Sequence, residues 1–264
     1  MHGESPAGPQ AAQTVVITGG TRGIGAGIAR AFLEAGAKVL VCGRSAPADP
    51  AALPSARGRS ALFCQADVRE PDQAARLLRT AADLFGRVDV LISNAGGSPE
   101  ADAATASPRF LARIIELNLT APLLVAQAAN AVMQCQDNGG AIVMVGSISG
   151  TRPSPGTAAY GAAKAGLHHL VTSLAIEWAP RVRVTCVAPG YVETESPGGH
   201  YGDADGLAAV GRAVPLGRLA TAGDVAAACL FLASPQASYI SGSTLTVHGG
   251  GEPPVFLSAR QVRD

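Results

Sequence analysis

TVVITGGTRGIGAGIARAFLEAGAKVLVCGR, residues 14–44, decides the fold. TVVIT (14–18) is a β-branched run that reads as a strand. A glycine-rich turn follows, and then IGAGIARAFLEAG carries apolar residues at helical spacing. KVLVCG (38–43) is a second apolar strand. Gly19, Gly23 and Gly25 let the backbone turn sharply and leave free N–H groups at the start of the helix. Those groups and the helix dipole favour an anion such as a pyrophosphate. The spacing is G-x-x-x-G-x-G rather than G-x-G-x-x-G, so the strand–turn–helix context carries the reading more than the glycines do.

The same alternation continues to the end of the chain. SALFCQAD (60–67), VDVLIS (88–93), AIVMVGS (141–147), VRVTCVAP (182–189) and STLTVH (243–248) read as strands. Between them lie helical stretches at about 71–85, 107–134, 157–179 and 223–233. Near-continuous apolar strands separated by helices predict an α/β fold: a Rossmann-type doubly wound parallel sheet of about seven strands, three-layer α/β/α. No linker or repeat divides it, so 14–252 is expected to be a single domain. Residues 1–13 (MHGESPAGPQAAQ) lack a basic start and an apolar stretch; they read as a disordered leader, not a secretory signal. Residues 253–264 form a C-terminal tail. The stretch 193–214, rich in Gly and acidic residues, reads as a loop beyond a strand end, either a substrate lid or a surface insertion.

With 264 residues, 47% of them hydrophobic, the chain can bury a sizeable core. Twenty basic and twenty acidic residues cancel, which gives no footprint for nucleic acid or anionic lipid. No apolar run approaches the roughly 18–20 residues of a membrane span. The five cysteines (42, 64, 135, 186, 229) are scattered, with no C-x-x-C pair. They are expected to be reduced and buried in a cytoplasmic protein, with no metal site and no disulfide framework.

The chemistry is concentrated in GSISGTRPSPGTAAYGAAKAG, which holds Ser147, Tyr160 and Lys164. On a helix, Tyr160 and Lys164 share one face, one turn apart. An ammonium beside a phenol favours the phenolate and lowers the pKa of the tyrosine from about 10. Such a tyrosine can pass a proton to or from a carbonyl or hydroxyl oxygen that Ser147 also holds. Y-x-x-x-K is common by chance, so its weight depends on a hydride carrier nearby. At the end of the second strand stand Gly43, Arg44 and Ser45, with no carboxylate for a ribose 2′-hydroxyl. Arg44, with Arg22 in the turn, suits a 2′-phosphate, which favours NADP(H) over NAD(H) unless both arginines are ordinary surface residues.

In order along the chain, TGGTRGIG (18–25), Asp67-Val68, SNAG (93–96), Asn118, Ser147, YGAAK (160–164), PGYVET (189–194) and the closing GRLATAGDVAAACLFLASPQASYISGSTLTVHGG resemble the short-chain dehydrogenase/reductase family. The resemblance covers about residues 14–251 and is nearest to 3-oxoacyl-thioester reductases and their broad-substrate relatives. It implies an oxidoreductase moving a hydride between a nicotinamide and a carbonyl or secondary alcohol, with a catalytic tetrad of Asn118, Ser147, Tyr160 and Lys164. In it Tyr160 is the acid/base and Ser147 polarises the substrate oxygen. Lys164 holds the ribose and tunes Tyr160, while Asn118 positions a water. The cofactor would contact Gly19, Thr21, Arg22, Gly23, Ile24, Gly25, Arg44, Ser45, Asp67, Val68, Asn94, Ala95, Gly96, Tyr160, Lys164, Pro189, Gly190, Val192 and Thr194.

The resemblance also implies a homotetramer, or a homodimer, built on the helices near 107–134 and 157–179. Ser93, Thr185 and His248 depart from the family's usual Asn, Asn and Asp, which bears on local packing rather than chemistry. His168, His169, Trp178 and Met133 are assigned to packing or interface, and Asp203 and Asp205 to solvated loop charge. Two other readings stand beside the leading one: an NAD(H)-dependent alcohol dehydrogenase, and a dinucleotide sensor without catalysis, which the Tyr160–Lys164 pair argues against.

Overall fold

Strand β1 (Thr14–Thr18) is buried along its whole length and lies inside the sheet. It pairs in parallel with β2 (Lys38–Gly43) on one side and β6 (Val90–Ser93) on the other. Outward from these run β5 (Leu62–Gln65) at one edge, and β7 (Gly140–Val145), β8 (Val182–Pro189) and β9 (Thr244–Val247) towards the other. A computed structural model describes residues 13–193 and 204–253, and in it seven parallel strands stand in the order β5–β2–β1–β6–β7–β8–β9. The expected doubly wound sheet is thus observed. The order reverses between β1 and β6, which opens a crevice at the carboxyl ends of the strands.

Side chains alternate across the sheet, so both faces are apolar. Val15, Ile17, Val39 and Val41 face helices α1 (Gly23–Glu34) and α7 (Ala222–Ala233), where they meet Ile28, Phe32, Val225 and Cys229. Val16, Leu40 and Cys42 face α2 (Pro71–Phe85), α4 (Ala121–Met133) and α5 (Ala158–Glu177), against Leu77, Val125, Ala129 and Leu167. Burying each Leu, Ile or Phe side chain contributes about 1.5–3 kcal/mol, and this two-sided core is what holds the strand ends in register.

Several elements differ from the sequence expectation. The long helix at 107–134 is interrupted: α3 (Pro108–Ile115) passes through a π-helical turn, Glu116–Thr120, into α4. Its extra residue per turn has no signature in apolar periodicity. Residues 204–213, expected as loop, form helix α6 (Ala204–Ala213), whose Leu207, Val210 and Gly211 turn inward with Val214 behind them. Helical spacing of those apolar residues outweighs the local Gly and Asp. A small hairpin, β3 (Ser55–Ala56) with β4 (Arg59–Ser60), turns through Arg57 and Gly58, both at positive φ.

The stretch Pro108–Met133 is also long and apolar enough, by length and composition, to cross a membrane, contrary to the expectation of no such run. One of its faces packs in the core through Val125, Ala126, Ala129 and Met133. Among the cysteines, Cys42, Cys186 and Cys229 are buried, but Cys64 is only half-buried and Cys135 is exposed; all five are free thiols. Burial pushes the Cys42 and Cys229 thiols up to about 12. Residues 1–12 of the expected leader (1–13), residues 194–203 of the expected loop and residues 254–264 of the tail lie outside the described residues.

Helix α7 holds α1 in place: a Cβ on Gly27 of α1 would stand 2.5 Å from the Cβ of Ala222. The start of α7 is a capping box, in which Thr221 Oγ1 accepts from the Asp224 amide at 3.2 Å and Asp224 Oδ2 accepts from the Thr221 amide at 2.7 Å. Arg218 donates to both carboxylate oxygens of Asp224 at 2.8 and 2.9 Å. Arg218 first, then the Thr221 amide, hold this carboxyl well below the usual carboxylate range. Thr221→Ala and Asp224→Asn are each expected to cost about 1 kcal/mol, read from urea midpoints. Because the folded-state pKa is depressed, that contribution is complete above about pH 4 and is lost as the pH falls further. The midpoint gap between wild type and Asp224→Asn should therefore close in acid.

Candidate active site

The turn after β1 is shaped to admit a bulky anion. Gly19 has φ +63°, and a Cβ on Gly25 would collide with the Gly19 carbonyl oxygen. Helix α1 starts at Gly23 with Arg22 as its N-cap, no side chain caps it, and its first turn has no acidic residue. Its orphan N–H groups therefore face the glycine cradle unpaired by side chains, which fits a pyrophosphate. Thr21 lies against the end of β2: a Cβ on Gly43 would stand 3.8 Å from Thr21 Oγ1. The next residue of each segment, Arg22 and Arg44, is exposed, as is Ser45.

Asp67 and Val68 follow β5, and Val68 is buried. The Asp67 carboxylate is held by Arg69, with Nε to Oδ1 at 3.0 Å and Nη2 to Oδ2 at 2.5 Å. Arg69 chiefly, with Arg44 adding its charge, draws the pKa of Asp67 below its ordinary value. The loop after β6 is tied to β1: Thr18 Oγ1 accepts from the amides of Asn94 and Ala95, each at 3.0 Å. Asn94 Nδ2 donates back to the Thr18 and Gly19 carbonyls at 3.0 and 3.2 Å. Thr18 was not singled out from sequence, although its place as the last residue of β1 was a signal.

Across the crevice, α5 places Tyr160 and Lys164 one turn apart, and the Lys164 ammonium lies 5.6 Å from the centroid of the Tyr160 ring. Lys164 is buried, and its Nζ donates to the Val145 carbonyl at the end of β7 at 2.8 Å. Burial pulls its pKa down to about 8. Ser147, two residues beyond Val145, sits half-buried at the start of a 3-10 turn, and its Oγ accepts from the Ser149 amide at 3.1 Å.

The π turn carries Asn118 into the same place, wholly buried. Its Nδ2 donates to the Gly97 and Ile114 carbonyls, and its Oδ1 accepts from the Gly97 amide at 2.8 Å. Gly96 lies between the two groups: a Cβ there would stand 2.8 Å from Asn118 Oδ1 and 3.4 Å from Lys164 Nζ. Both N–H donors of the Asn118 amide are thus taken, and a lone pair of Oδ1 remains for a water.

Pro189 ends β8 and Gly190 follows it; His248 packs over Gly190, where a Cβ would meet the His248 Cβ at 2.8 Å. Val192 bridges to Ala220, and the Tyr191 carbonyl and Glu193 amide also bond Ala220, so the two ends of the excursion 194–219 are pinned together. Thr194 and Asp203 lie outside the described residues, while Asp205 is exposed on α6. His169 is exposed, and Trp178 and Met133 are core residues. His168 lies beneath the site: its Nε2 is buried with no hydrogen-bond partner among the described residues, and a Cβ on Gly146 would stand 2.5 Å from it and 2.7 Å from Cys186 Sγ. Burial, then the charge of Lys164, lower the pKa of His168. Thr185 Oγ1 is likewise buried and unpartnered among the described residues.

Holding an ammonium at full burial costs folding free energy. Lys164→Met should raise the stability of the ligand-free protein by about 2–3 kcal/mol at pH 7 while it removes the cation. The depressed folded-state pKa means this cost is fully present below about pH 8 and is relieved as the pH rises towards the ordinary lysine value. The advantage of the variant in thermal or urea unfolding should shrink accordingly between pH 8 and 10.

A family model described as enoyl-(acyl carrier protein) reductase matches residues 19–252. The cis-4-hydroxycyclohexanecarboxylate dehydrogenase of Sinomonas cyclohexanicum is 39% identical over 244 residues, 91% of this chain and 96% of that one. The 3-oxoacyl-(acyl-carrier-protein) reductase of Chlamydia muridarum is 36% identical over 242 residues, covering 90% and 96%. A crystal structure of a short-chain type dehydrogenase/reductase from Mycobacterium marinum superposes with a TM-score of 0.84 at 33% identity, over 92% of this chain and 96% of that one. Sequence, fold and the crevice agree: the chain belongs to the short-chain dehydrogenase/reductase family, oxidoreductases of CH–OH and C=O groups that use a nicotinamide cofactor.

Proposed function

We propose that the protein is an NADP(H)-dependent carbonyl reductase or secondary-alcohol dehydrogenase in which Tyr160 moves the proton. The observation that carries this reading is the buried Lys164 ammonium, anchored on the Val145 carbonyl and lying beside the Tyr160 ring, with Ser147 two residues along the same segment. Bound nicotinamide dinucleotide supplies or accepts the hydride. In reduction Tyr160 Oη gives its proton to the substrate oxygen, and in oxidation it takes that proton back. Ser147 Oγ hydrogen-bonds the same oxygen. The Lys164 charge stabilises the phenolate that remains and binds the ribose hydroxyls. Asn118 holds the backbone at Gly97 and offers Oδ1 to a water on the side of Lys164.

The glycine cradle and the uncapped start of α1 would hold the pyrophosphate. Asp67, Val68 and Asn94–Gly96 would line the adenosine side, and the Pro189–Val192 turn, with Thr194, the carboxamide. Arg44 and Arg22, exposed at one end of this cradle with no carboxylate beside them at 43–45, favour a 2′-phosphate. Relatives named for an acyl thioester and a hydroxycyclohexanecarboxylate share a secondary alcohol or its ketone as the reacting group, which is the substrate class we assign. We also assign a homotetramer: two thirds of the most apolar window of Pro108–Met133 is not buried within one chain, and Ile176 on α5 is 82% exposed.

A panel of ketones with NADPH tests the reading. Tyr160→Phe should lose about 10²–10⁴ in kcat and keep its affinity for NADPH; undiminished turnover would remove the proton role from Tyr160. Arg44→Ala should weaken NADPH binding by about ten- to a hundredfold and leave NADH unaffected, as loss of a charge-assisted phosphate contact requires. Unchanged NADPH affinity would return the cofactor choice to NAD(H).

A further inference from the structure

Three adjacent parallel strands, β7, β8 and β9, end side by side at the crevice, and each sends one polar side chain to a common point. Arg152 follows the 3-10 turn that begins beyond Ser147. Tyr191 follows Gly190 at the end of β8, and Glu252 lies past the end of β9. Tyr191 Oη donates to Glu252 Oε1 at 2.6 Å, and Arg152 Nη2 donates to Tyr191 Oη at 3.2 Å. Arg152 Nε lies 2.7 Å from the same Glu252 oxygen, and the guanidinium sits 5.7 Å from the centroid of the Tyr191 ring.

The arrangement is a receptor for a carboxylate. A guanidinium and a phenol O–H converge on one carboxylate oxygen, and the arginine polarises the phenol that donates to it. Glu252 fills the receptor imperfectly. Although Arg152 Nε is 2.7 Å from Oε1, its N–H is buried and aligned on no acceptor among the described residues. Nε and Nη2 therefore do not make the two parallel N–H···O contacts of a bidentate pair with this carboxylate: Nη2 donates to Tyr191 instead. The Glu252 side chain is also 46% exposed, so it can leave into solvent.

We propose that Arg152 and Tyr191 form a carboxylate-binding subsite of the active site, held in the free protein by the chain's own Glu252, so that the substrate alcohol or ketone carries a carboxylate that displaces Glu252. This rests on the oxidoreductase reading of the crevice and names its substrate class. Arg152 acts as a specificity residue: it holds the far end of the substrate while Ser147 and Tyr160 hold the reacting oxygen. The placement of Arg152 and Ser147 five residues apart on one segment ties the two ends together.

Two measurements test it. With NADPH, 4-oxocyclohexanecarboxylate should exceed its methyl ester in kcat/KM by at least about tenfold, the ratio expected of one charge-assisted pair. That ratio should fall towards one in Arg152→Gln, through KM for the acid. Calorimetry with cyclohexanecarboxylate and cyclohexanecarboxamide, on the cofactor-saturated protein, reads the subsite without turnover. The acid should bind more tightly than the amide. Tyr191→Phe should weaken it, and Glu252→Gln should tighten it several-fold by removing the internal competitor. Equal binding of acid and amide, or a preference that survives Arg152→Gln, would overturn the subsite. Turnover of the ester without preference for the acid would sink only the subsite, whereas acid-selective binding with no ketone reduced would sink the catalytic reading and leave the subsite standing.

Discussion

The buried ammonium of Lys164 is the constraint around which the crevice is arranged. A cation at that depth needs oxygen around it, and the fold supplies the Val145 carbonyl at the end of β7. Close approach of the loop after β6 is possible because Gly96 has no side chain to occupy the space beside Nζ and Asn118 Oδ1. Beneath, Gly146 makes the same concession to His168 and Cys186. Burial draws the lysine pKa down to about 8, so the charge is held at a folding cost that ribose hydroxyls and a phenolate would offset. The protein is thus less stable, free of ligand, than its packing would allow, and the deficit sits at the point where chemistry is proposed.

From that point the crevice divides. On the β1 side, glycine geometry and helix N–H groups present an anion cradle that no side chain obstructs. On the β8 and β9 side, the ends of the strands carry Tyr191, Glu252 and, from β7, Arg152. Between them, Thr18 and Asn94 tie the end of β1 to the loop after β6, which carries Gly96 towards Lys164.

Much of this was legible in the sequence because apolar runs and punctuation are local. β2, α2 and β8 have the boundaries that their residues predict, and the motif residues from Gly19 to Gly190 lie along the carboxyl edge of the sheet. The failures are also physical. A π turn at Glu116–Thr120 adds a residue without disturbing composition, yet it aims Asn118 inward. Helix α6 was hidden by its Gly and Asp residues, although its inward face repeats at helical spacing. Arg152, Tyr191 and Glu252 meet across as many as 100 residues of chain (152 to 252), and no local pattern records a contact between the segments that follow three strands. Arg69 closing on Asp67 is local, but a carboxylate two residues from an arginine is too common to read.

The central claim is that a hydride moves between a nicotinamide and a carbonyl carbon at this site while the proton comes from the protein. Reduction of a ketone in ordinary water with NADPH deuterated at both C4 positions, followed by mass spectrometry of the alcohol, measures that step. The account predicts one deuterium on the carbinol carbon, and none there when unlabelled NADPH is used in heavy water. An alcohol without label from the cofactor, or with carbon-bound label from solvent, would contradict it.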